Sequence, residues 1–272
     1  MRSSLGLFAW LLLTSANSAD LPTVASINLC TDQLVLAIAD PAQILTVSWL
    51  AADTEESMLA ESAAMHTLNY GSAENLLSIN PDVVIGGTYT NIFSRQLLAE
   101  LGYEIVAVEP ANSLDEIARN IRQVATAIDR VEYGESLIAS MRERAAKISA
   151  SQPARPVSAI VLRPGGFTVG ANSLTDELMR LAGLNNLSAD DGLDRWGSLS
   201  MESLLESRPD LLIYSGYRRR ESSLANEVFN HAALTKFSGN DTEVDAKYWA
   251  CGLPQSLRSA EILQQAAISI TE

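Results

Sequence analysis

The chain is poor in the residues from which metal and catalytic centres are usually built. It has two histidines and two cysteines in 272 residues, and a bare metal-ion site would need three or more converging ligands. It contains no Cys-x-x-Cys, His-Glu-x-x-His, Gly-x-Gly-x-x-Gly or Gly-x-Ser-x-Gly segment, so the common redox, metalloprotease, dinucleotide and hydrolase signatures are missing. The expectation is therefore a protein that is not an enzyme, with no intrinsic cofactor and no metal site; an exported enzyme acting on a metal chelate is the alternative from a different class. Positive charge is also scarce: 19 Lys and Arg stand against 33 Asp and Glu, for a net charge of −14. Such an acidic surface argues against nucleic acid and anionic membranes as partners. Long apolar runs are confined to the first residues, where Leu5 to Leu13 falls short of the roughly 20 residues a membrane span requires.

That short run sits between Arg2 and the small residues Ala16, Ser18 and Ala19, the layout of a cleaved secretory signal over residues 1–19. A lipid anchor would need a cysteine at the cleavage point, and the first, Cys30, lies well beyond it. The expectation is a free, monomeric periplasmic protein. After export, Cys30 and Cys251 are open to two outcomes, one disulfide or two lone buried thiols. A bond between them would close a very long loop and limit any opening of the molecule.

The chain also repeats itself. Ser72-Ala-Glu-Asn-Leu-Leu-Ser-Ile-Asn-Pro-Asp-Val-Val-Ile85 returns as Ser200-Met-Glu-Ser-Leu-Leu-Glu-Ser-Arg-Pro-Asp-Leu-Leu-Ile213, and Asn28-Leu-Cys-Thr-Asp-Gln-Leu34 is echoed by Asn172-Ser-Leu-Thr-Asp-Glu-Leu178. Each long copy reads as a Ser-capped helix with an acid in its first turn, stopped by Pro-Asp, then a buried strand. Echoes in the same order imply two similar lobes with a cleft between them. Apolar strands at 23–27, 44–48, 83–87 and 105–108, and again at 157–162 and 211–213, alternate with helices, which predicts α/β lobes with mainly parallel sheets covered on both faces. Residues 20–130 form the first lobe in this reading, 131–152 a single long bridging helix, and 153–272 the second lobe.

Ligands of open parallel sheets bind beyond the carboxyl ends of the strands. The segments expected there carry Trp49, Tyr89, Phe167, Trp196, Tyr248 and Trp249. Flat aromatic walls with few charges suit a large, partly apolar, planar ligand. Arg163, Arg195 and the run Arg218–Arg220 are candidates to meet an anionic one. His66 and Tyr70 are the residues on offer to a haem iron. Glu74 and Glu202, each in the first turn of its repeated helix, stabilise the helix dipole in any case; as a matched pair they can also engage two basic sites of a symmetric partner.

The paired Glu-x-Leu-Leu-x-x-x-Pro-Asp segments, at Glu74 and Glu202, and the aromatic loops resemble the periplasmic substrate-binding proteins of ABC importers for vitamin B12 and iron chelates. The resemblance runs over essentially the whole chain after residue 19. It implies two α/β lobes bridged by one long helix, with a ligand cleft between them and small opening motions. It further implies capture of a corrinoid (cobalamin) or, alternatively, a ferric siderophore or haem, and delivery to a membrane permease dimer whose subunits dock on Glu74 and Glu202. It gives Trp49, Phe167, Trp196 and the Tyr248-Trp249 pair, with Tyr89 displaced by about two positions, as the cleft lining. Neither cysteine falls where the disulfide of the B12-binding member lies.

Overall fold

The computed structural model describes residues 21–90, 92–218 and 221–272; residues 1–19, read above as a signal, Arg219 and Arg220 lie outside them, as does the side chain of Glu74. The first lobe runs β1 (Val24–Ser26), α1 (Leu29–Ile38), β2 (Ile44–Ser48), α2 (Ala60–Ala63), β3 (Thr67–Asn69), α3 (Ala73–Ile79), β4 (Val83–Gly87), α4 (Ile92–Glu100), β5 (Glu104–Val108) and α5 (Leu114–Ala127). The long helix α6 (Val131–Ala150) follows. The second lobe runs β6 (Val157–Leu162), β7 (Phe167–Val169), α7 (Leu174–Leu181), β8 (Leu184–Asn186), α8 (Leu187–Asp190), β9 (Trp196–Ser198), α9 (Met201–Ser207), β10 (Leu211–Tyr214), β11 (Asp241–Glu243), α10 (Lys247–Ala250) and α11 (Leu257–Thr271).

The first sheet has the order β3-β2-β1-β4-β5 and the second β11-β10-β6-β8, and every pairing in both is parallel. A small antiparallel pair, β7 with β9, stands apart. The strand period of two sorts each sheet's side chains between two cores. Val83, Ile85, Leu211 and Ile213 face one large apolar cluster, which also takes in α1, α5, α6, α7 and α11 and so runs unbroken through both lobes. Val84 packs instead with Leu76 of α3 on the outer face of the first lobe, and Leu212 with Leu204 of α9 on the outer face of the second. The two lobes are thus joined by a common core on their helical side, and any cleft must lie on the other.

The repeat has a structural meaning. Ser72 and Ser200 cap α3 and α9 by accepting the amides of Asn75 and Ser203, a contribution of about 1 kcal/mol each. Asn80 and Arg208 end the helices in the left-handed region, at φ 52° and 46°. The following aspartates then grip the first strand of each lobe: Asp82 accepts the backbone N–H of Thr23 at 2.8 Å and its hydroxyl at 2.6 Å, and Asp210 accepts the same two groups of Ser158 at 3.0 and 2.8 Å. The shorter echo is matched as well. Asp32 and Asp176 are buried at the starts of α1 and α7, where Asp32 accepts from Ser48 and Asp176 from Asn186.

Helix α6 lies tight against α5 at one glycine. A methyl group on Gly134 would sit 2.7 Å from the Cβ of Ala125, so only a residue without a side chain lets the two helices approach this closely.

Candidate functional site

Five loops leave the carboxyl ends of the first sheet, and three of them begin with an exposed aromatic residue. Trp49 follows β2, Tyr70 follows β3, and Tyr89 lies two residues beyond β4, with 47%, 77% and 85% of their surface exposed. The second lobe offers Phe167 and Trp196, whose rings meet edge to face with centroids 6.3 Å apart. The β7–β9 ladder positions that pair by setting Val169 opposite Trp196 and Phe167 opposite Ser198. Its approach is possible because Gly170 has no side chain: a Cβ there would lie 1.9 Å from the carbonyl oxygen of Leu193.

The two carboxyl ends face each other. Arg218, in the loop after β10, forms ion pairs with Asp53 and, at 3.8 Å, with Glu56, both in the loop after β2. Lys247, at the start of α10, donates to the carbonyl of Thr54 at 2.8 Å. Asn226 braces the arginine's loop by donating to the carbonyls of Arg218 and Glu221. A further crossing is covalent: Cys30, in the first turn of α1, is bonded to Cys251, with Cα atoms 5.0 Å apart and a sequence separation of 221. The disulfide borders a mainly apolar cavity of about 250 Å³ that also touches Tyr89, Glu109, Ala111 and Gly252.

Trp249 departs from its expected place. It is only 3% exposed, its indole N–H donates to the Ser215 hydroxyl at 2.9 Å, and it belongs to the common core. It is therefore a correction to the predicted lining: the preceding Tyr248 is half-buried, and Trp249 lies beneath the surface. Its hydrogen bond to Ser215 and its packing in the common core beside the buried Cys251 hold it there. What lies over the indole is Arg163, its guanidinium carbon 5.9 Å from the ring centroid. Arg163 follows β6 and is half-buried, with one side-chain hydrogen bond, to the Thr175 hydroxyl at 3.3 Å. Burial lowers its affinity for a proton, and the nearby Tyr217 only partly opposes this. Burial and the carboxylate of Glu56 push the Tyr217 hydroxyl up to about 12, against a smaller opposing effect of Arg163. Strand β10 pairs with β6, so Tyr217 and Arg163 leave the sheet on neighbouring loops, and Tyr217 also feels Glu56 of the other lobe.

Other expected residues are scattered. His66 precedes β3 and Tyr70 follows it, so an extended strand sets their Cα atoms roughly 13 Å apart. Arg195 is exposed, with its charge felt by Glu116 of α5. Glu202 is exposed in the first turn of α9. Helices α3 and α9 each lead into the amino end of a strand, so both begin on the cleft side of their lobes. Among the described residues no group of His, Cys, Asp and Glu could hold a metal ion, and no helix is long and apolar enough to cross a membrane.

Residues 24–238 match the periplasmic binding protein family. The chain belongs to that family. The solved structures it resembles share the whole architecture. The periplasmic heme-binding protein HutB of Vibrio cholerae superposes with a TM-score of 0.76 at 20% identity, covering 90% of this chain and 98% of that one. The apo heme-binding protein RhuT from Roseiflexus sp. RS-1 gives 0.71 at 21%, covering 92% and 99%. The vitamin B12-binding protein BtuF of Vibrio cholerae gives 0.67 at 17%, covering 93% and 98%. At these identities the likeness establishes the fold. A curated relative, an uncharacterized ABC transporter substrate-binding lipoprotein, YvrC, of Bacillus subtilis (strain 168), is 21% identical over 152 residues, 52% of this chain and 48% of that protein; the match spans about half the length of the relative. The names of the family and of these neighbours are those of binding proteins.

Proposed function

We propose that this protein is the exported receptor of an ABC importer for a large metal chelate, which it holds between its lobes and hands to a membrane permease dimer. The observation that carries the reading is the pair of opposed aromatic rims, Trp49, Tyr70 and Tyr89 on one lobe and Phe167 with Trp196 on the other. Exposed rings at facing strand ends bury large area on a flat ligand while losing little side-chain freedom. The common core and the disulfide keep lobe motion small, so the site is largely formed before the ligand arrives, which lowers the cost of binding.

Within this class a corrinoid suits the large exposed ring area of the aromatic rims, and the solved relatives named for vitamin B12 and for heme mark the range of cargo on this fold. A second reading, an anionic chelate such as a carboxylate siderophore or haem, is favoured by one specific observation, the half-buried guanidinium of Arg163 behind the rim, whose Nε has no partner. Glu74 and Glu202 serve as the permease contacts, residues 1–19 as a cleaved signal, and the mature protein is free in the periplasm without a lipid anchor. Titration calorimetry of the purified protein with cyanocobalamin, haemin and a ferric carboxylate siderophore tests the proposal. Micromolar or tighter binding of one of them is expected, and heatless titrations with all three would remove it.

A further inference from the structure

A guanidinium offers five N–H donors and accepts nothing. Arg163 spends one on Thr175 at 3.3 Å, rests on the Trp249 ring, and leaves its Nε buried without a partner. Among the described residues no carboxylate lies within ion-pair distance of it. The residue is half-buried, and a cation partly removed from water, with a buried N–H that nothing accepts, favours a partner from the protein or from a ligand. Here the position says which. Arg163 is the first residue past the carboxyl end of β6, the side on which open parallel sheets receive ligands, and its electrostatic neighbour Tyr217 feels Glu56 of the opposite lobe.

The rim of the same region is already engaged by acids. Arg218 is gripped by Asp53 and Glu56 across the seam, although these two carboxylates stand close enough to repel each other and Glu56 is partly desolvated. The protein thus sets its own acids against one cation of the region and leaves the deeper cation unanswered.

We propose that Arg163, with the Tyr217 hydroxyl beside it and Arg218 at the rim, is a subsite for an oxyanion of the transported ligand, and that Asp53 and Glu56 are a built-in competitor holding the rim until that oxyanion arrives. This deepens the function proposed above and rests on it for the identity of the cargo, though not for the existence of the subsite. The shared chemistry is a carboxylate, as on haem or a carboxylate siderophore, or a phosphodiester, as on a cobalamin. Arginine matches both by donating two parallel N–H groups.

Two arms test it separately. In the first, the full-length mature protein is titrated with acetate and with dimethyl phosphate while the indole N–H of Trp249, identified by loss of its signal in Trp249→Phe, is followed by NMR. A saturable shift in the millimolar range is expected for the wild type, weakened by about tenfold or more in Arg163→Gln and strengthened severalfold in Asp53→Asn/Glu56→Gln. No saturable shift, an equal response in Arg163→Gln, or a weaker one in the double variant would overturn the subsite. The double variant decides the matter alone if Arg163→Gln does not fold. In the second arm, haemin is compared with its dimethyl ester, and cyanocobalamin with dicyanocobinamide, which lacks the phosphodiester. Whichever pair binds should favour its oxyanion-bearing member by about tenfold, a preference that Arg163→Gln abolishes; equal affinity for the two members would overturn the inference. If no chelate binds at all, the proposed cargo class fails, while the first arm still decides on the subsite.

Discussion

The carboxylate of Glu177, in the first turn of α7, accepts the backbone N–H of Leu114, the first residue of α5, at 3.1 Å. One acid therefore serves two helix starts, its own and that of a helix in the other lobe, where orphan amides and the helix dipole favour negative charge. Burial nevertheless raises its pKa, and the nearby acids Asp115, Glu116 and Asp176 add to the effect. Glu177→Ala strands the Leu114 amide at a half-buried junction, and a loss of about 1 kcal/mol is expected, read from the urea midpoint. No change in midpoint would mean that water replaces the carboxylate there.

The bond between Cys30 and Cys251 encloses 221 residues of sequence separation. The loop-entropy relation gives about 5 kcal/mol of stabilisation for a ring of this size, most of it through the unfolded chain. The paired variant Cys30→Ala/Cys251→Ala should lose several kcal/mol by chemical denaturation, and the wild type should lose as much in reducing agent. Denaturation curves that coincide with and without reductant would show that the ring contributes nothing.

Asp32 supplies a pH dependence with a definite sign. Burial pushes its carboxyl from 3.8 up to about 6, against lowering hydrogen bonds from Ser48 and Ser26. The folded state therefore favours the protonated acid: its contribution is fully present below about pH 4 and is lost as pH rises through about 6, a change of about 3 kcal/mol. Carboxylates held low by partners, such as Glu261 beside Arg144, act in the opposite direction, so the informative quantity is the difference between wild type and Asp32→Asn. That difference should move in favour of the variant by roughly 2–3 kcal/mol between pH 4 and pH 7.5. A pH-independent difference would show that Asp32 titrates normally.

The matched acids at the starts of α3 and α9 give a prediction about transport. Reversing both, Glu74→Lys with Glu202→Lys, should abolish uptake in cells while ligand affinity in vitro stays within about twofold, since like charges set against a basic docking site are repelled. Loss of affinity in the purified double variant would instead assign these residues to the pocket or to the fold.

Much of this architecture is legible in the amino-acid order because apolar strands and capped helices leave local signals. The repeated Ser-x-Glu starts, the Pro-Asp stops and the strands around Val24, Val47, Val84, Val161 and Ile213 all form where the pattern puts them, and α6 spans the stretch read as one stiff helix. The strands that escaped have three residues each: Thr67–Asn69, Leu184–Asn186 and Asp241–Glu243 lie at sheet edges, and Phe167–Val169 with Trp196–Ser198 form the separate pair, all too short for a period to show. Trp249 was misplaced because nothing near it in sequence shows that Ser215, 34 residues earlier, waits for its indole N–H. The juxtaposition of Arg163 with Tyr217 and Glu56 depends on two crossovers and on the closure of the lobes, and no local pattern encodes it.

The apolar cluster shared by the two lobes governs how the molecule comes apart. Because α5, α6, α7 and α11 bury their inner faces against one another irrespective of lobe, melting either half would strip the cover from the other. The duplicated halves, whatever independence their matching motifs suggest, are one cooperative unit and should melt in a single calorimetric transition whose van't Hoff and total enthalpies agree.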